Sequence, residues 1–97
     1  MKLFLEIIGG PMDGQVYSFK KSVTIGRDPN CEIPLQLDNY LSRRHAQILV
    51  IPPECFLEDL GSTNGTFIED ERLTQRVLLK NGQHFRVGKT LMQIYWK

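Results

Sequence analysis

The chain has 97 residues, of which 41% are hydrophobic and 24% are charged, and its formal net charge is +1. This length suits one domain with one modest core, and the composition is that of a globular protein rather than a disordered one. The nearly balanced charge argues against a surface devoted wholly to nucleic acid or membrane, and every apolar run is far shorter than a membrane span.

The first half of the chain is a series of short apolar segments separated by turn residues, a pattern typical of β-strands. The opening segment is predicted to be a strand rather than a signal peptide, because Glu6 interrupts it and no cleavage site follows. Pro34 cannot donate to a hydrogen-bond ladder, so its segment is predicted to lie at a sheet edge. The predicted strands are, in order, KLFLEII, QVYSF, VTIG and IPLQL.

The second half continues this pattern with HAQILVI, which has apolar residues on both faces near its end and is predicted to be a central strand. The Asn-Gly dipeptide of KNGQ signals a hairpin turn. No segment keeps a helical period over about ten residues, so the chain is predicted to be all-β, a sandwich or small barrel of about ten short strands. The remaining predicted strands are CFLEDL, TFIED, RVLL, HFRVG and TLMQIYWK, and most aromatic residues, including Trp96, are predicted to take core positions.

Three loops at predicted strand ends carry an unusual set of hydrogen-bond donors. They are GRD (Gly26–Asp28), SRRH (Ser42–His45) and GSTNGT (Gly61–Thr66). Arginine presents a planar fork that matches phosphate or carboxylate oxygens, hydroxyl groups add neutral donors, and glycine lets the main chain approach a ligand. A pocket for a dianionic phosphate needs this mixture, although GSTNGT taken alone is better explained as a hairpin loop.

Four motifs occur in a fixed order along the chain: IGR, SRRHA, DLGSTNGTF and LKNGQHFRVG. From about Val23 to Ile94, this ordered set resembles the forkhead-associated (FHA) domain, a module that binds phosphothreonine peptides. The resemblance implies a β-sandwich of about eleven short strands with ligand loops at one end, in agreement with the strand pattern. It also implies a single FHA-like domain over residues 1–97, without catalytic activity, metal or cofactor.

By this resemblance, five residues are expected to bind the phosphopeptide. Arg27 takes the place of the family's phosphate-binding arginine, and the hydroxyl of Ser42 is expected to donate to a phosphate oxygen. Arg43 lies at a position that contacts phosphate through its main-chain N–H or its side chain. Thr63 matches another residue of the phosphate pocket, and Asn64 matches the asparagine that holds the main chain of the bound peptide.

Other motif residues are expected to support the site rather than to touch the ligand. His45 matches a histidine that supports the loops from beneath. Gly26, Gly61 and Gly65 are expected to serve loop geometry. Arg44 is expected to be a solvated surface charge without an assigned role.

One departure from the family pattern follows the TNGTF motif. Many members have an Asn-Gly turn there, whereas this chain has the acidic residues Glu69, Asp70 and Glu71. These residues lie outside the matched phosphate positions, so phosphate binding is expected to be kept. The added negative charge is expected to alter which peptide side chains are tolerated.

Two further patterns carry weak catalytic or metal-binding signals. Ser42, His45 and Asp59 suggest a hydrolase triad, but no nucleophile-elbow motif such as G-x-S-x-G is present. Cys31 and Cys55 lack paired-ligand spacing with each other or with a histidine, which argues against a zinc site. They are expected to be reduced, partly buried thiols, as in a cytoplasmic protein.

Two binding functions of other kinds stay open as alternatives. A phosphate-independent interaction domain would use an exposed apolar sheet face, and Arg27 would then form only a surface ion pair. A small β-barrel that binds nucleic acid would interleave aromatic and basic residues on one face, which the balanced charge disfavours. The leading expectation is a module that binds a phosphothreonine-containing partner protein. Its SRRH and GSTNGT motifs are of the bacterial type, and the module is expected to be part of a larger protein.

Overall fold

A computed structural model describes all 97 residues and consists of eleven strands joined by turns and loops. It contains no helix of the length and apolarity needed to cross a bilayer. The strands are β1 (Leu3–Gly9), β2 (Val16–Phe19), β3 (Val23–Gly26), β4 (Ile33–Pro34), β5 (Ala46–Ile51), β6 (Glu54–Asp59), β7 (Thr66–Ile68), β8 (Glu71–Arg72), β9 (Val77–Leu78), β10 (His84–Val87) and β11 (Thr90–Trp96).

These strands form two sheets that share one core. The six-stranded sheet has the order β2-β1-β11-β10-β7-β8, and the five-stranded sheet has the order β4-β3-β5-β6-β9. Neighbouring strands are antiparallel except β3 and β4, which are parallel. The predicted all-β sandwich of about eleven short strands is confirmed, as are the edge position of the Pro34 segment and the central position of β5.

Alternate side chains of the long strands fill the space between the sheets. In β1, Leu3, Leu5 and Ile7 are fully buried, while the residues between them are partly exposed. Ile25 of β3 and Ile48 of β5 are equally buried on the facing sheet. Each such side chain contributes about 1.5–3 kcal/mol through its removal from water. Burial on this two-residue period holds the sheets together and leaves the loops at the strand ends free to form a site.

The prediction that most aromatic side chains take core positions is wrong. Phe85 is buried and Trp96 packs against the core while partly exposed, as predicted for it, but only Tyr17 and Phe19 join them among the other seven aromatic residues. Phe4 stacks on Tyr95, with the ring centroids 5.4 Å apart. These two residues are directly paired across β1 and β11, and they alternate with buried neighbours such as Leu5. The strand pleat therefore turns both rings to the outer face of the six-stranded sheet.

The turn residues gave a wrong prediction of hairpins at two places. Asn81 and Gly82 do not close a hairpin, because they link β9 of the five-stranded sheet to β10 of the six-stranded sheet. A hairpin without a sequence signal joins β7 to β8 through Glu69 and Asp70, whose φ angles are 51° and 64°. Glycine, asparagine and, to a smaller degree, aspartate favour this left-handed backbone at a two-residue turn, whereas glutamate does not.

Candidate functional site

Two loops of the sandwich are each hydrogen-bonded to a third loop. The arginine loop (Arg27–Glu32) follows β3, and the serine loop (Leu35–His45) precedes β5. The glycine loop (Leu60–Gly65) joins β6 of the five-stranded sheet to β7 of the six-stranded sheet. Because it crosses between the sheets, it is not the hairpin loop that its Asn-Gly dipeptide alone suggests.

Three hydrogen bonds from Arg27 and Asp28 hold the arginine loop against the serine loop. The main-chain N–H of Arg27 donates to the carbonyl oxygen of Ser42 at 3.0 Å. The next N–H, of Asp28, donates to the carbonyl oxygen of Arg43 at 3.1 Å. The side-chain Nε–H of Arg27 donates to the carbonyl oxygen of Leu41 at 3.1 Å. The guanidinium is therefore anchored at Nε beside Ser42, and its two Nη groups are available to a ligand.

The side chains of Ser42 and Asn64 both join the glycine loop to the serine loop. The main-chain N–H of Thr63 donates to Oγ of Ser42 at 3.1 Å. Because Oγ is the acceptor in that bond, the hydroxyl hydrogen of Ser42 is free to donate to a ligand. The side-chain amide of Asn64 donates to the carbonyl oxygen of Tyr40 at 2.8 Å, which fixes the amide in one orientation.

His45 lies beneath these two loops and is fully buried. Its Nδ1 accepts the main-chain N–H of Ser42 at 3.1 Å, so the ring proton belongs on Nε2, which donates to the carbonyl oxygen of Gly65 at 2.8 Å. Both ring nitrogens are thus occupied by main-chain groups. The ring does not contact the hydroxyl of Ser42 as a general base would, so the suggested triad with Asp59 is not formed.

Asp59, at the end of β6, organises the glycine loop, and the sequence analysis considered it only as a triad member. Its carboxylate accepts the main-chain N–H groups of Gly61 and Ser62 at 3.0 and 2.9 Å. It also accepts the hydroxyl groups of Ser62 and Thr66. Partial burial works to raise the pKa of Asp59, but these hydrogen bonds outweigh it and hold that pKa below its ordinary value.

Asp38 connects the serine loop to the six-stranded sheet, and this role was missed entirely. The side chain is fully buried. Its carboxylate accepts the N–H of Tyr40 at 3.0 Å, the N–H of Lys89 at 2.8 Å and the hydroxyl of Thr90 at 2.6 Å. The first bond is a local Asx turn that sequence can suggest, whereas the other two join residues about 50 positions apart. Asp38 is therefore engaged with the β10–β11 turn.

Arg72 of β8 was also missed. Its Nη2 lies 3.3 Å from the carbonyl oxygen of Ser62 and 3.4 Å from that of Thr63, as a donor to both. The hairpin of β7 and β8 brings this guanidinium behind the glycine loop. Because that hairpin carries no turn signal, nothing in the sequence indicated the contact.

Two of the predicted support glycines have clear steric reasons. A Cβ on Gly26 would collide with the carbonyl group of Arg43, so only glycine lets the arginine loop and the serine loop lie this close. Gly65 has a φ angle of 88°, and a Cβ there would lie 2.8 Å from Nε of Arg72. Both positions therefore require glycine for loop geometry. Gly61 also has a positive φ, of 76°, but open space around its Cα.

The five residues predicted to bind a phosphopeptide all lie on these three adjoining loops. Four of them are exposed, and Ser42 is half-buried. Arg27 and Arg43 line an open hollow of about 230 Å³ with Asp28 and Pro29. Two guanidinium groups at one hollow give it a positive character suited to an anion.

Arg44 and the two cysteines lie apart from this hollow. Arg44 lines a separate small hollow that includes Cys31 and Glu32. Burial, followed by the nearby charge of Asp28, raises the pKa of Cys31, and burial raises the pKa of Cys55 to about 11. Both thiols are free and are held in the protonated form, which is a poor nucleophile and a poor metal ligand. No cluster of histidine, cysteine or acidic residues in the chain is arranged to hold a metal ion.

The chain belongs to the forkhead-associated family, because residues 23–88 match the model of the FHA domain. Among its relatives is the FHA domain-containing protein FhaB of Mycobacterium tuberculosis, with 34% identity over 92 residues. That match covers 94% of this chain and 59% of FhaB, so the chain spans about three fifths of the relative's length.

Solved structures agree with this family. The FHA domain of protein CT664 from Chlamydia trachomatis superposes with a TM-score of 0.91 at 27% identity, over 100% of this chain and 99% of that one. A structure from an analysis of phosphothreonine-dependent FHA domain interactions superposes with a TM-score of 0.87 at 28% identity, over 100% and 98%. The likeness extends over the whole sandwich and its loops.

Proposed function

We propose that this chain is a non-catalytic module that binds a phosphothreonine-containing segment of a partner protein. One observation carries the proposal: the arginine loop and the glycine loop are each hydrogen-bonded to the serine loop, so that the side chains of Arg27, Ser42 and Asn64 are held on adjoining loops. Membership of the FHA family and the likeness to a phosphothreonine-dependent FHA structure support it.

Each of the five residues has a distinct role in this proposal. The free Nη groups of Arg27 offset the charge of the phosphate, and the hydroxyl of Ser42 donates to a phosphate oxygen. Arg43 adds a second positive charge at the hollow, and Thr63 supplies a further hydroxyl. Asn64, whose amide is already fixed by the carbonyl of Tyr40, holds the main chain of the peptide.

Magnitudes explain why several residues must act together. A micromolar dissociation constant corresponds to about −8 kcal/mol. One hydrogen bond to a charged group contributes roughly 1.5–3 kcal/mol, and ordering the peptide and the side chains opposes this. Phosphate contacts alone do not distinguish threonine from serine, and burying one methyl group is worth about 0.8 kcal/mol. A stronger preference for threonine requires a fitted apolar slot beside the phosphate.

The setting of the module is part of the same proposal. Residues 1–97 form a single domain that works within a longer protein, in keeping with the share of FhaB that the chain spans. A protein kinase uses ATP to phosphorylate the threonine of its partner, so the proposal places the module in the cytoplasm, where ATP is present. The relatives named above are bacterial, in agreement with the style of the motifs.

A phosphopeptide titration tests the proposal. A library of peptides degenerate around one phosphothreonine first selects a sequence, which is then titrated in phosphorylated and unphosphorylated forms by fluorescence anisotropy. We expect the phosphorylated form to bind at least about a hundredfold more tightly, a difference of about 2.7 kcal/mol. Equal affinities for the two forms would overturn the proposal.

Matched variants test the assignment of residues. Arg27→Ala and Ser42→Ala are each expected to weaken phosphopeptide binding by about tenfold or more while the circular dichroism spectrum is kept. Arg44→Ala removes an equal charge from the neighbouring hollow and is expected to change affinity less than about twofold. Wild-type affinity in both of the first two variants would refute the residue assignment.

A further inference from the structure

The outermost strand of the six-stranded sheet, β2, has one free edge. It pairs with β1 on one side only. Val16 and Ser18 are exposed, with Val16 at 52%, whereas Tyr17 and Phe19 pack against the core from its margin. The strand therefore combines an open edge with an inner face that is incompletely covered.

The main-chain groups of Val16 and Ser18 face away from the sheet. The N–H of Ile7 donates to the carbonyl oxygen of Gln15 at 2.9 Å, which identifies this pair as hydrogen-bonded. In an antiparallel ladder, hydrogen-bonded and non-hydrogen-bonded pairs alternate. The pairs made by Val16 with Glu6 and by Ser18 with Phe4 are thus of the second kind. Their N–H and C=O groups point outward and are available to another strand.

A groove of about 640 Å³ runs beside this edge, between β2 and the margin of the five-stranded sheet. Its apolar lining comes from Tyr17, Phe19, Val23 and Ile33. At this margin the five-stranded sheet ends in β4, which has only two residues and is too short to cover the groove. Side chains on the inner face of an added strand would enter this groove.

Of the four sheet edges, β2 is the one without protection. Proteins shield an edge by making it short or by adding a charged residue, a proline or a bulge. The edges at β4, β8 and β9 are two residues long. In contrast, β2 has four residues, and its sequence VYSF contains neither charge nor proline.

The charge beside the groove favours one kind of occupant. Lys20 and Lys21 follow β2 directly and line the groove, and both are exposed. Glu32 also lines it, but its Oε1 accepts the N–H of Thr24 at 2.7 Å and is directed to that strand. An acidic group near the end of β2 is therefore favoured by the two lysines.

We propose that β2 accepts an extended segment of a partner protein as a seventh strand of its sheet. The segment runs antiparallel to β2, places alternate apolar side chains in the groove, and carries acidic residues at its N-terminal end, opposite Lys20 and Lys21. A second copy of this chain fits less well, because its own Tyr17 and Phe19 are already packed against its own core. Apart from Glu32, the last residue of the arginine loop, this docking surface shares no residue with the three loops, and it does not depend on phosphate.

Titration with an unphosphorylated peptide, two acidic residues followed by alternating valine and threonine, tests this proposal. Amide resonances of Val16–Phe19 are followed by NMR, and a peptide of the same composition with its valines adjacent is the control. The alternating peptide is expected to shift these resonances and to bind about tenfold more tightly than the control. No shift in Val16–Phe19 at millimolar peptide would overturn the proposal.

Two variants distinguish strand addition from other modes of binding. Ser18→Pro removes an outward N–H without breaking the β1 ladder and is expected to weaken binding about tenfold, whereas Ser18→Ala keeps that N–H and is expected to bind as the wild type does. If Ser18→Pro does not fold, the double variant Lys20→Glu, Lys21→Glu is expected to prefer a peptide whose acidic end is replaced by lysines. If Ser18→Pro and the lysine double variant, where folded, bind the acidic peptide as tightly as the wild type does, the proposal is overturned. Sedimentation showing that β2 pairs two copies of the chain would also overturn it. Phosphopeptide affinity is expected to stay unchanged in every variant, which separates this test from that of the proposed function.

Discussion

The buried ring of His45 accepts the main-chain N–H of Ser42 at 3.1 Å. Its other nitrogen donates to the carbonyl oxygen of Gly65 at 2.8 Å. One imidazole thus spans the serine loop and the glycine loop, and it sets the separation at which Thr63 reaches the hydroxyl of Ser42. The shape of the site depends on this ring although the ring is fully buried and both its nitrogens bond to the main chain.

His45→Ala is expected to lower the free energy of unfolding by about 3 kcal/mol, because two buried main-chain groups lose their partner and a cavity is left. Urea unfolding measures this change. In conditions where the variant stays folded, phosphopeptide affinity is expected to fall at least about tenfold. His84→Ala, at an exposed histidine, is the matched control and is expected to cost at most about 0.5 kcal/mol. Wild-type affinity in folded His45→Ala would contradict the supporting role.

Gly26→Ala is expected to separate the arginine loop from the serine loop, because the new methyl group would collide with the main chain of Arg43 and Arg44. Overpacking of this kind costs about 1–3 kcal/mol, and phosphopeptide binding is expected to be lost with the loop contact. Isothermal titration calorimetry and thermal unfolding measure the two effects. In Gly9→Ala, the methyl group would make an ordinary contact at 3.5 Å with Cβ of Leu91, so both quantities are expected to stay near the wild type. Equal behaviour of the two variants would refute the steric argument.

The strands and their buried faces could be predicted from sequence because they follow from the alternation of apolar residues within each strand. Alternation of Leu3, Leu5 and Ile7 is visible in the sequence, and the same residues are buried in β1. What alternation does not reveal is which paired aromatic residues share the outer face, as Phe4 and Tyr95 do. That depends on strand register, which is decided by pairing between distant parts of the chain.

The candidate site was predictable only where its residues lie in compact motifs. Ser42, Thr63 and Asn64 lie on loops with a recognisable order, and the structure joins those loops. Asp38 and Arg72 hold the same loops in place, but their partners are Thr90 and the Ser62–Thr63 carbonyl groups. A buried carboxylate that acts across the sandwich leaves no local pattern, and the hairpin that directs Arg72 lacks the usual turn residues.

The β7–β8 turn offers a stabilising double substitution, Glu69→Asn with Asp70→Gly. Both native residues have positive φ, a conformation that costs glutamate about 1–2 kcal/mol, costs aspartate less and costs glycine almost nothing. The variant is expected to gain about 1–2 kcal/mol in the free energy of unfolding, measured by urea or thermal denaturation. Glu71→Asn, a single change within β8, is the control for loss of charge and is expected to change stability by at most about 0.5 kcal/mol. A double variant no more stable than the control would contradict the strained-turn argument.

The carboxylate of Asp59 predicts an acid-dependent loss of stability. Its pKa is lower in the folded chain than the ordinary value of 3.8, because the hydrogen bonds from Ser62 and Thr66 outweigh partial burial. The folded state therefore binds this proton less readily than the unfolded state, and the stabilisation is fully present above pH 3.8. As pH falls below that value and through the lowered pKa, the stabilisation is lost. The free-energy difference between the wild type and Asp59→Asn, measured by urea unfolding, is expected to be constant above this window and to shrink within it.

Thr66→Val tests the cause of this shift. Oγ1 of Thr66 donates to Asp59 at 2.8 Å, and valine fills nearly the same space without a donor. Removing one of the bonds that favour the carboxylate is expected to raise the pKa of Asp59 toward its ordinary value, which carbon NMR titration of the carboxyl group measures directly. We then expect the variant to have a lower free energy of unfolding above pH 3.8 than the wild type. Its acid-dependent loss of that free energy is expected to cover a narrower pH range. A carboxyl titration unchanged by Thr66→Val would show that this hydroxyl does not hold the charge, which would then depend on the hydroxyl of Ser62 and the main-chain donors.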